Sequence, residues 1–457
     1  MSGNPATDRI GRRIVDHKHS EPANPPLNPD LGSPPIPFPV PGPPSAADTL
    51  LRSLEKLLLS RLLRAIGDPS LEIVLWNGDA ISHHRSNAAA RVLIRDRAAL
   101  WKLILDAELH FGELYSEQRV DVEGNLLHFL EAVYRVWPVS SQSKVEMLLA
   151  PLFGGRRNSL TRARRNIHHH YDIGNDFYKL WLDERMLYTC AYFQTPGATL
   201  EQAQLAKLDH ICRKLRLRPG EKVVDAGCGW GGLALHMAQK YGVEVTAYNI
   251  SSEQVALARE KSRLAGLDGR VEFVEDDFRN IRGKFDAFVS VGMLEHVGLE
   301  HYQEMGAVID RALTPHGRGL IHSIGVNFPR EMDAWTERHI FPGAALPSLG
   351  QMMQILEPFD FSVLDVENLR QHYAKTIEHW LHRYEANAGR VLEMFDPEFV
   401  RAWRLYLAGA TTTFKIGGMQ LFQVTFARGA QSQVPWTRQY LYEMAGAAPI
   451  GASDGAL

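Results

Sequence analysis

Between Val223 and Gly232 the chain reads Val-Val-Asp-Ala-Gly-Cys-Gly-Trp-Gly-Gly, a glycine spacing that lets backbone approach a ligand closely. Gly227 and Gly229 permit sharp turns, and the helix expected to follow offers unpaired amide donors. Such a loop can hold a dinucleotide pyrophosphate or the amino-acid end of S-adenosylmethionine, and it can also be a structural turn with no ligand. Asp225, at the strand end just before the turn, supplies an acidic anchor. A nicotinamide-binding unit places Asp or Glu at the end of its second strand to hold a ribose. Here that strand ends at Tyr248, Asn249, Ile250 and Ser251. Asn249 leaves a ribose contact possible through a neutral side chain. Asp277, after the third strand, suits an adenine amino group or is a plain loop aspartate. Together these features favour S-adenosylmethionine over NAD.

The elements that must position this loop follow from periodicity. Helix Leu205–Leu215, strand Lys222–Ala226, helix Leu233–Tyr241 and strand Glu244–Tyr248 alternate. Helix Glu253–Ala265, strands Val271–Val274 and Ala287–Val291, helix Tyr302–Leu313 and strand Arg318–Ser323 continue the series. Strands separated by helices imply right-handed crossovers and a mainly parallel α/β sheet of the Rossmann-like kind. Residues 328–414 interrupt it before a last strand at Leu421–Phe426, and an insertion of that size is read as a helical lid. Upstream, leucines at helical spacing over Thr49–Ile66, short strands at Leu71–Trp76 and Ala90–Ile94, and helices at Ala98–Leu109 and Leu126–Val136 give a smaller α+β domain. The expected organisation is a disordered proline-rich arm over 1–45 and an N-terminal domain over 46–145. A linker with a helical cap over 146–200, the main domain over 201–435 and a tail over 436–457 complete it.

Composition narrows the function. A formal net charge of -3 argues against a general nucleic-acid binder. Cys190, Cys212 and Cys228 are far apart, show no metal or disulfide spacing and suit a reducing cytoplasm. His168, His169 and His170 are consecutive, so their side chains diverge and no metal site is expected. No apolar run approaches the ~20 residues that span a bilayer, and no signal peptide is expected. Arg156–Arg165 carries five arginines, which form a solvated linker or a contact for anionic headgroups.

The stretch from Asn166 to Asp183, followed by Leu187, Tyr188, Thr189, Cys190, Ala191, Tyr192 and Phe193, resembles cyclopropane-fatty-acyl-phospholipid synthases and their mycolic-acid relatives. Gly229–Gly232, Met293–Gly298, His322–Gly325, Phe341–Gly343, Leu346–Ser348 and His372–Thr376 add to the resemblance. It covers about 90 to 430 and is strong from 165 onward. Earlier, His110–Tyr115 is similar to the family's N-terminal domain. The proline-rich arm has no counterpart in the family pattern.

The resemblance implies a class I methyltransferase fold that takes a methyl from S-adenosylmethionine to a cis double bond of a phospholipid acyl chain. A proton then leaves the new methyl and the ring closes. The cofactor shell it implies is Tyr188, Thr189, Asp225, Gly227, Gly229, Gly231, Asn249, Ser251, Gln254, Asp277 and Phe278. It further implies bicarbonate as base, cradled by Cys190, Glu295, His322, the backbone at Ile324, and Tyr373. Glu295 beside an anion is expected to orient His322 or to hold the anion's hydroxyl, since like charges repel. Tyr171, Tyr192, Phe193, Trp335 and Tyr373 are candidates to stabilise a carbocation through their ring faces. C-methylation or methylenation of the same alkene is the alternative outcome. The protein is then expected in the cytoplasm, peripheral at the inner membrane face, with a homodimer left open.

Overall fold

The computed structural model describes residues 46–83, 88–136, 173–429 and 435–442. The proline-rich arm, Arg156–Arg165, His168–His170 and Tyr171 lie outside the described residues.

The N-terminal unit comprises α1 (Ala46–Ala65), β1 (Leu71–Leu75), β2 (Ala80–Ile81), β3 (Ala90–Ile94), α2 (Arg97–Leu105), α3 (Ala107–Ser116), β4 (Val120–Glu123) and α4 (Leu126–Val136). Its sheet runs β2-β1-β3-β4, with β1 and β3 parallel. The single helix expected over Ala98–Leu109 is two helices. Asp106 takes extended backbone, φ -156°, donates its N–H to Lys102, and accepts the N–H of Leu109 on its carboxylate. One aspartate thus closes α2 and caps α3, because its short side chain satisfies an end that would otherwise lack a partner.

In the main domain, α5 (Asn175–Lys179) and α6 (Leu200–Lys214) precede a seven-stranded sheet. Thr199 and Gln202 start α6 with a reciprocal capping box. The strands are β5 (Lys222–Ala226), β6 (Glu244–Asn249), β7 (Val271–Glu275), β8 (Phe285–Val291), β9 (Leu313–Gly325), β10 (Phe361–Asn368) and β11 (Gln420–Arg428). Their order is β10-β11-β9-β8-β5-β6-β7; β11 alone is antiparallel to both its neighbours, and β5 to β9 are parallel. Val223, Val224 and Ala226 are fully buried, as a strand covered on both faces requires. Crossover helices α7 (Gly232–Tyr241), α8 (Ser252–Leu264) and α9 (Tyr302–Ala312) supply that cover. Strand order reverses between β5 and β8, and ligands of such sheets lie at the carboxyl edge of that switch point.

The stretch 328–414, expected as one helical insertion, is not uniform. It holds α10 (Ala334–His339), α11 (Leu349–Met353), α12 (Arg370–Ala386), α13 (Ala388–Met394) and most of α14 (Pro397–Ile416), but also β10, a strand of the main sheet. β10 lies at the sheet edge with most of its residues only half buried, so it lacks the apolar signature of its neighbours. The helical additions are therefore two segments separated by that strand.

α12 and α14 pack on each other, and α14 also packs on α3 and α4. Arg401 of α14 donates to the carbonyl of Tyr115 at 2.6 Å and to Asp121 at 3.1 Å, with its guanidinium 4.0 Å from the Tyr115 ring centroid. A side chain at Gly112 of α3 would meet the Trp335 indole at 2.4 Å. The N-terminal unit and the helical additions consequently share one hydrophobic core.

Candidate active site

The glycine loop leaves the carboxyl end of β5 and enters α7. Gly227 sits at φ 87° because its N–H and that of Cys228 both donate to the carbonyl of Tyr248 on β6. A Cβ there would strike Met293 at 2.8 Å, whereas at Gly229, φ 54°, it would meet nothing within 4 Å. Gly229 therefore presents bare backbone to open space, which is the condition for close approach of a ligand. Asn249 closes over the loop by donating Nδ2 to the carbonyl of Gly229 at 3.1 Å and to Gln254 Oε1 at 2.7 Å. Its Oδ1 accepts the N–H of Ser251. Asn249 thus orders the loop, and the buried Nε2 of Gln254 is a donor without a partner among the described residues. Ser251 caps α8, accepting the N–H of Gln254. Asp277 is buried after β7, accepts the N–H of Arg279, and precedes the buried Phe278. These residues fit an adenosine-bearing cofactor: open backbone at Gly229, an unused donor at Gln254, and a buried acid at each flank.

Asp225 is buried and its Oδ2 has no partner among the described residues; burial pushes its carboxyl up to about 7 against the opposing pull of Lys207. Lys207 is a residue that sequence reasoning missed. It is fully buried on α6, donates to Thr189 Oγ1 at 2.7 Å, and is held down to about 8 by desolvation. Since the ammonium donates, the Thr189 hydroxyl hydrogen turns elsewhere. Gln204 fixes the same segment by donating to the carbonyls of Leu187 and Thr189, both at 3.0 Å. Gln204, Lys207, His210 and Lys214 are all buried at helical spacing, a polar stripe on the inward face of α6. That stripe is the signal in the sequence.

The carboxyl ends of β8 and β9 gather the second set. His322 on β9 is buried and neutral, its pKa lowered well below the ordinary value by desolvation. Gln423 Nε2 on β11 donates to its Nδ1 at 3.0 Å, so the neutral ring carries its proton on Nε2, which has no partner among the described residues. Gln423 was also missed; a glutamine inside the buried strand β11 is its signal. Glu295 does not hold His322. Its Oε1 accepts the N–H of Ile324 at 2.6 Å, and its Oε2 is buried without a partner among the described residues. The Ile324 N–H expected to face an anion is therefore engaged by Glu295. Desolvation pushes the Glu295 carboxyl up to about 7.

Cys190 and Tyr373 meet at Leu369, on the turn into α12. The Cys190 thiol lies 3.9 Å from the carbonyl of Leu369, which accepts the N–H of Tyr373. Leu369 in turn donates to Leu421, the partner of Ile324 across β9 and β11. Burial raises the Cys190 pKa, so it stays a thiol. Tyr188 hydrogen-bonds Tyr406 at 2.7 Å and packs on Tyr178, Trp181 and Trp380. Tyr373 joins the same aromatic wall through Trp380. Three other aromatic candidates have faces already occupied: Tyr192 stacks between His210 and His372, Phe193 carries Lys375 over its ring at 5.0 Å, and Trp335 packs against α3.

A seven-stranded sheet with a final antiparallel strand, a glycine loop at its switch point and a neutral residue ending β6 define a class I S-adenosylmethionine-dependent methyltransferase. Residues 158–424, more than half of the chain, match the family described as mycolic acid cyclopropane synthetase. The chain belongs to that family. Residues 58–143 match a domain of unknown function. The Escherichia coli K12 cyclopropane-fatty-acyl-phospholipid synthase is 42% identical over 264 residues, covering 58% of this chain and 68% of that protein. A Pseudomonas putida protein named "Probable fatty acid methyltransferase" is 34% identical over 383 residues, covering 81% and 96%. Among solved structures, the Mycobacterium tuberculosis cyclopropane synthase MmaA2 superposes with a TM-score of 0.57 at 27% identity, covering 59% of this chain and 100% of that one.

Proposed function

We propose that the enzyme adds a methylene group across the cis double bond of an unsaturated phospholipid acyl chain, with bicarbonate as the base. The observation that carries this reading is the pair of buried, unpartnered polar atoms His322 Nε2 and Glu295 Oε2 at the carboxyl edge of β8 and β9. When bound, S-adenosylmethionine supplies the sulfonium methyl, and bicarbonate a small base for the proton that this methyl loses on ring closure. Gly229, Gln254, Asp277 and the Thr189 hydroxyl hold the cofactor. His322 donates through Nε2 to the anion, and protonated Glu295 donates through Oε2, which removes the like-charge conflict. Tyr188, Trp181 and Trp380 form a packed aromatic wall that excludes water from the site. The names of the Escherichia coli and Pseudomonas putida relatives support a fatty-acyl acceptor. No described helix is long and apolar enough to cross a membrane, and we place the enzyme in the cytoplasm, peripheral at the inner membrane face.

A second reading rests on the Pseudomonas putida relative, whose alignment extends into the N-terminal unit: transfer of a methyl or methylene without ring closure. Labelled S-adenosylmethionine and phospholipid vesicles, followed by mass spectrometry before and after catalytic hydrogenation, separate the two. A product heavier by one CH2 that resists mild hydrogenation is the cyclopropane; one that takes up hydrogen is the methylene. Label in no acyl chain refutes both.

A further inference from the structure

A cavity of about 290 Å³ opens between the C-terminal end of α6, strands β9 to β11 and the segment 435–442, and its lining includes Lys214, Arg216, Arg318, Trp436, Arg438 and Tyr440. None of the glycine-loop or cradle residues lines it. Arg318 precedes His322 by four residues on β9, about 13 Å along the strand.

The cations around this cavity are unequally matched. Arg318 pairs with Glu221 at 2.7 Å and also donates to the carbonyls of Leu215 and Arg216. Lys214 pairs with Glu367 at 2.7 Å, and Arg438 pairs with Asp365. Arg216 has no acid within ion-pair distance among the described residues. It is half-buried, and desolvation together with Arg318 and Arg218 lowers its pKa. A half-buried guanidinium beside other cations is unfavourable unless an anion balances it.

The backbone sharpens the point. Arg216 lies just beyond α6 at φ 49°, with its N–H donated to Arg213 and that of Leu217 to Cys212. This is the position after a helix where glycine avoids strain. The chain carries an arginine there instead, and that residue lines the cavity. Trp436 adds an indole with 103% relative accessibility, and Tyr442 is 63% exposed six residues on. Exposed aromatic rings with polar handles beside arginines are the pattern of a surface that meets lipid headgroups.

We propose that this cavity is a phosphate-binding site, in which Arg216 and Arg438 hold a phosphate group and Tyr440 donates to it. Guanidinium forks match phosphate oxygens two at a time, and the anion neutralises the surplus charge at Arg216. The phosphate belongs to a soluble ligand or to an anionic phospholipid headgroup. The headgroup source rests on the lipid-acting reading above, whereas phosphate binding itself does not.

The full chain is tested with inorganic phosphate by equilibrium dialysis, and with phosphatidylglycerol vesicles by cosedimentation against phosphatidylcholine vesicles. At least one probe is expected to be retained, and Arg216→Gln and Arg216→Gly are each expected to weaken that retention fivefold or more. Arg216→Gly relieves the left-handed backbone, so its melting temperature should match or exceed the wild type and separate lost binding from lost fold. Phosphate retention alone identifies a soluble ligand, and Arg216-dependent retention on phosphatidylglycerol identifies a headgroup. Retention of neither probe, or retention that both variants leave intact, overturns the site. No arm reads methyl transfer, so failure of the proposed reaction would leave a different signature.

Discussion

Replacing Glu295 by glutamine should change how stability depends on pH, by an amount that follows from the burial of its carboxyl. Desolvation moves this group from an ordinary 4.5 to about 7 in the folded protein. A carboxyl whose folded pKa is raised binds its proton more tightly folded than unfolded. Its burial therefore costs little below pH 4.5, costs more as pH rises, and levels off above about 7. With those two values, the cost is ~1.4 kcal/mol at pH 5.5 and ~3.3 kcal/mol at pH 8. Wild type should lose ~2 kcal/mol relative to Glu295→Gln across that window, because the amide cannot ionise. Urea unfolding of both proteins at the two pH values measures the difference. The glutamine still accepts the Ile324 N–H, so S-adenosylhomocysteine affinity should hold while most turnover is lost. Parallel pH profiles would refute the reasoning: Glu295 would then ionise normally and could not be a protonated donor to an anion.

The glycines of the loop should separate fold from ligand. Gly231→Ala puts a Cβ 2.6 Å from the Phe273 ring at φ 79°, and should cost ~2–3 kcal/mol of stability in thermal melts. Gly229→Ala meets no atom within 4 Å, and should cost only ~1 kcal/mol while abolishing measurable S-adenosylhomocysteine binding by calorimetry. Equal melts for the two would contradict the assignment of open space at Gly229. Lys207→Met should weaken cofactor binding about tenfold by freeing Thr189. It should also move the binding titration of Asp225 above pH 7, since Lys207 holds that carboxyl down; an unshifted profile counts against the pairing. Gln423→Leu should leave cofactor affinity unchanged and cut turnover about tenfold, because His322 can then place its proton on either nitrogen. Unchanged turnover would show that the tautomer does not matter.

The cofactor loop was legible because its signal is local: glycine spacing, a preceding strand and a following helix lie within ten residues. The parallel strands were legible for the same reason, since burial on both faces demands continuous apolar runs. β10 was not, because its place depends on pairing with β11, and its half-buried residues show neither an apolar run nor clean alternation. Asp106 was hidden by an apolar pattern that continues on both sides of it. Lys207 and Gln423 were visible only as polar residues in buried elements, which acquire meaning once Thr189 and His322 are seen beside them. The motif residues Glu295 and Ile324 stood in the sequence, but their mutual hydrogen bond did not, and that bond takes the Ile324 N–H expected to face an anion.

That bond bears on the kind of base the proposed cradle suits. At neutral pH and below, its own groups are largely uncharged: His322 is neutral, Cys190 is a thiol, and Glu295 holds a proton up to about pH 7. The nearby cations are Lys207, whose charge acts on Cys190, Asp225 and His322 alike, and Lys214, which also acts on His322 but is paired with Glu367. On the proposed reading, a single negative charge entering among these donors meets the charge of Lys207 and polarised hydrogens on His322 and Glu295. A second negative charge would have no counterpart in a low-dielectric site, and each uncompensated charge there costs several kcal/mol. On the proposed reading, a monoanion such as bicarbonate fits this balance where a dianion does not. Raising pH through 7 would ionise Glu295 and Asp225 together, weaken anion retention and slow the reaction without any change in fold.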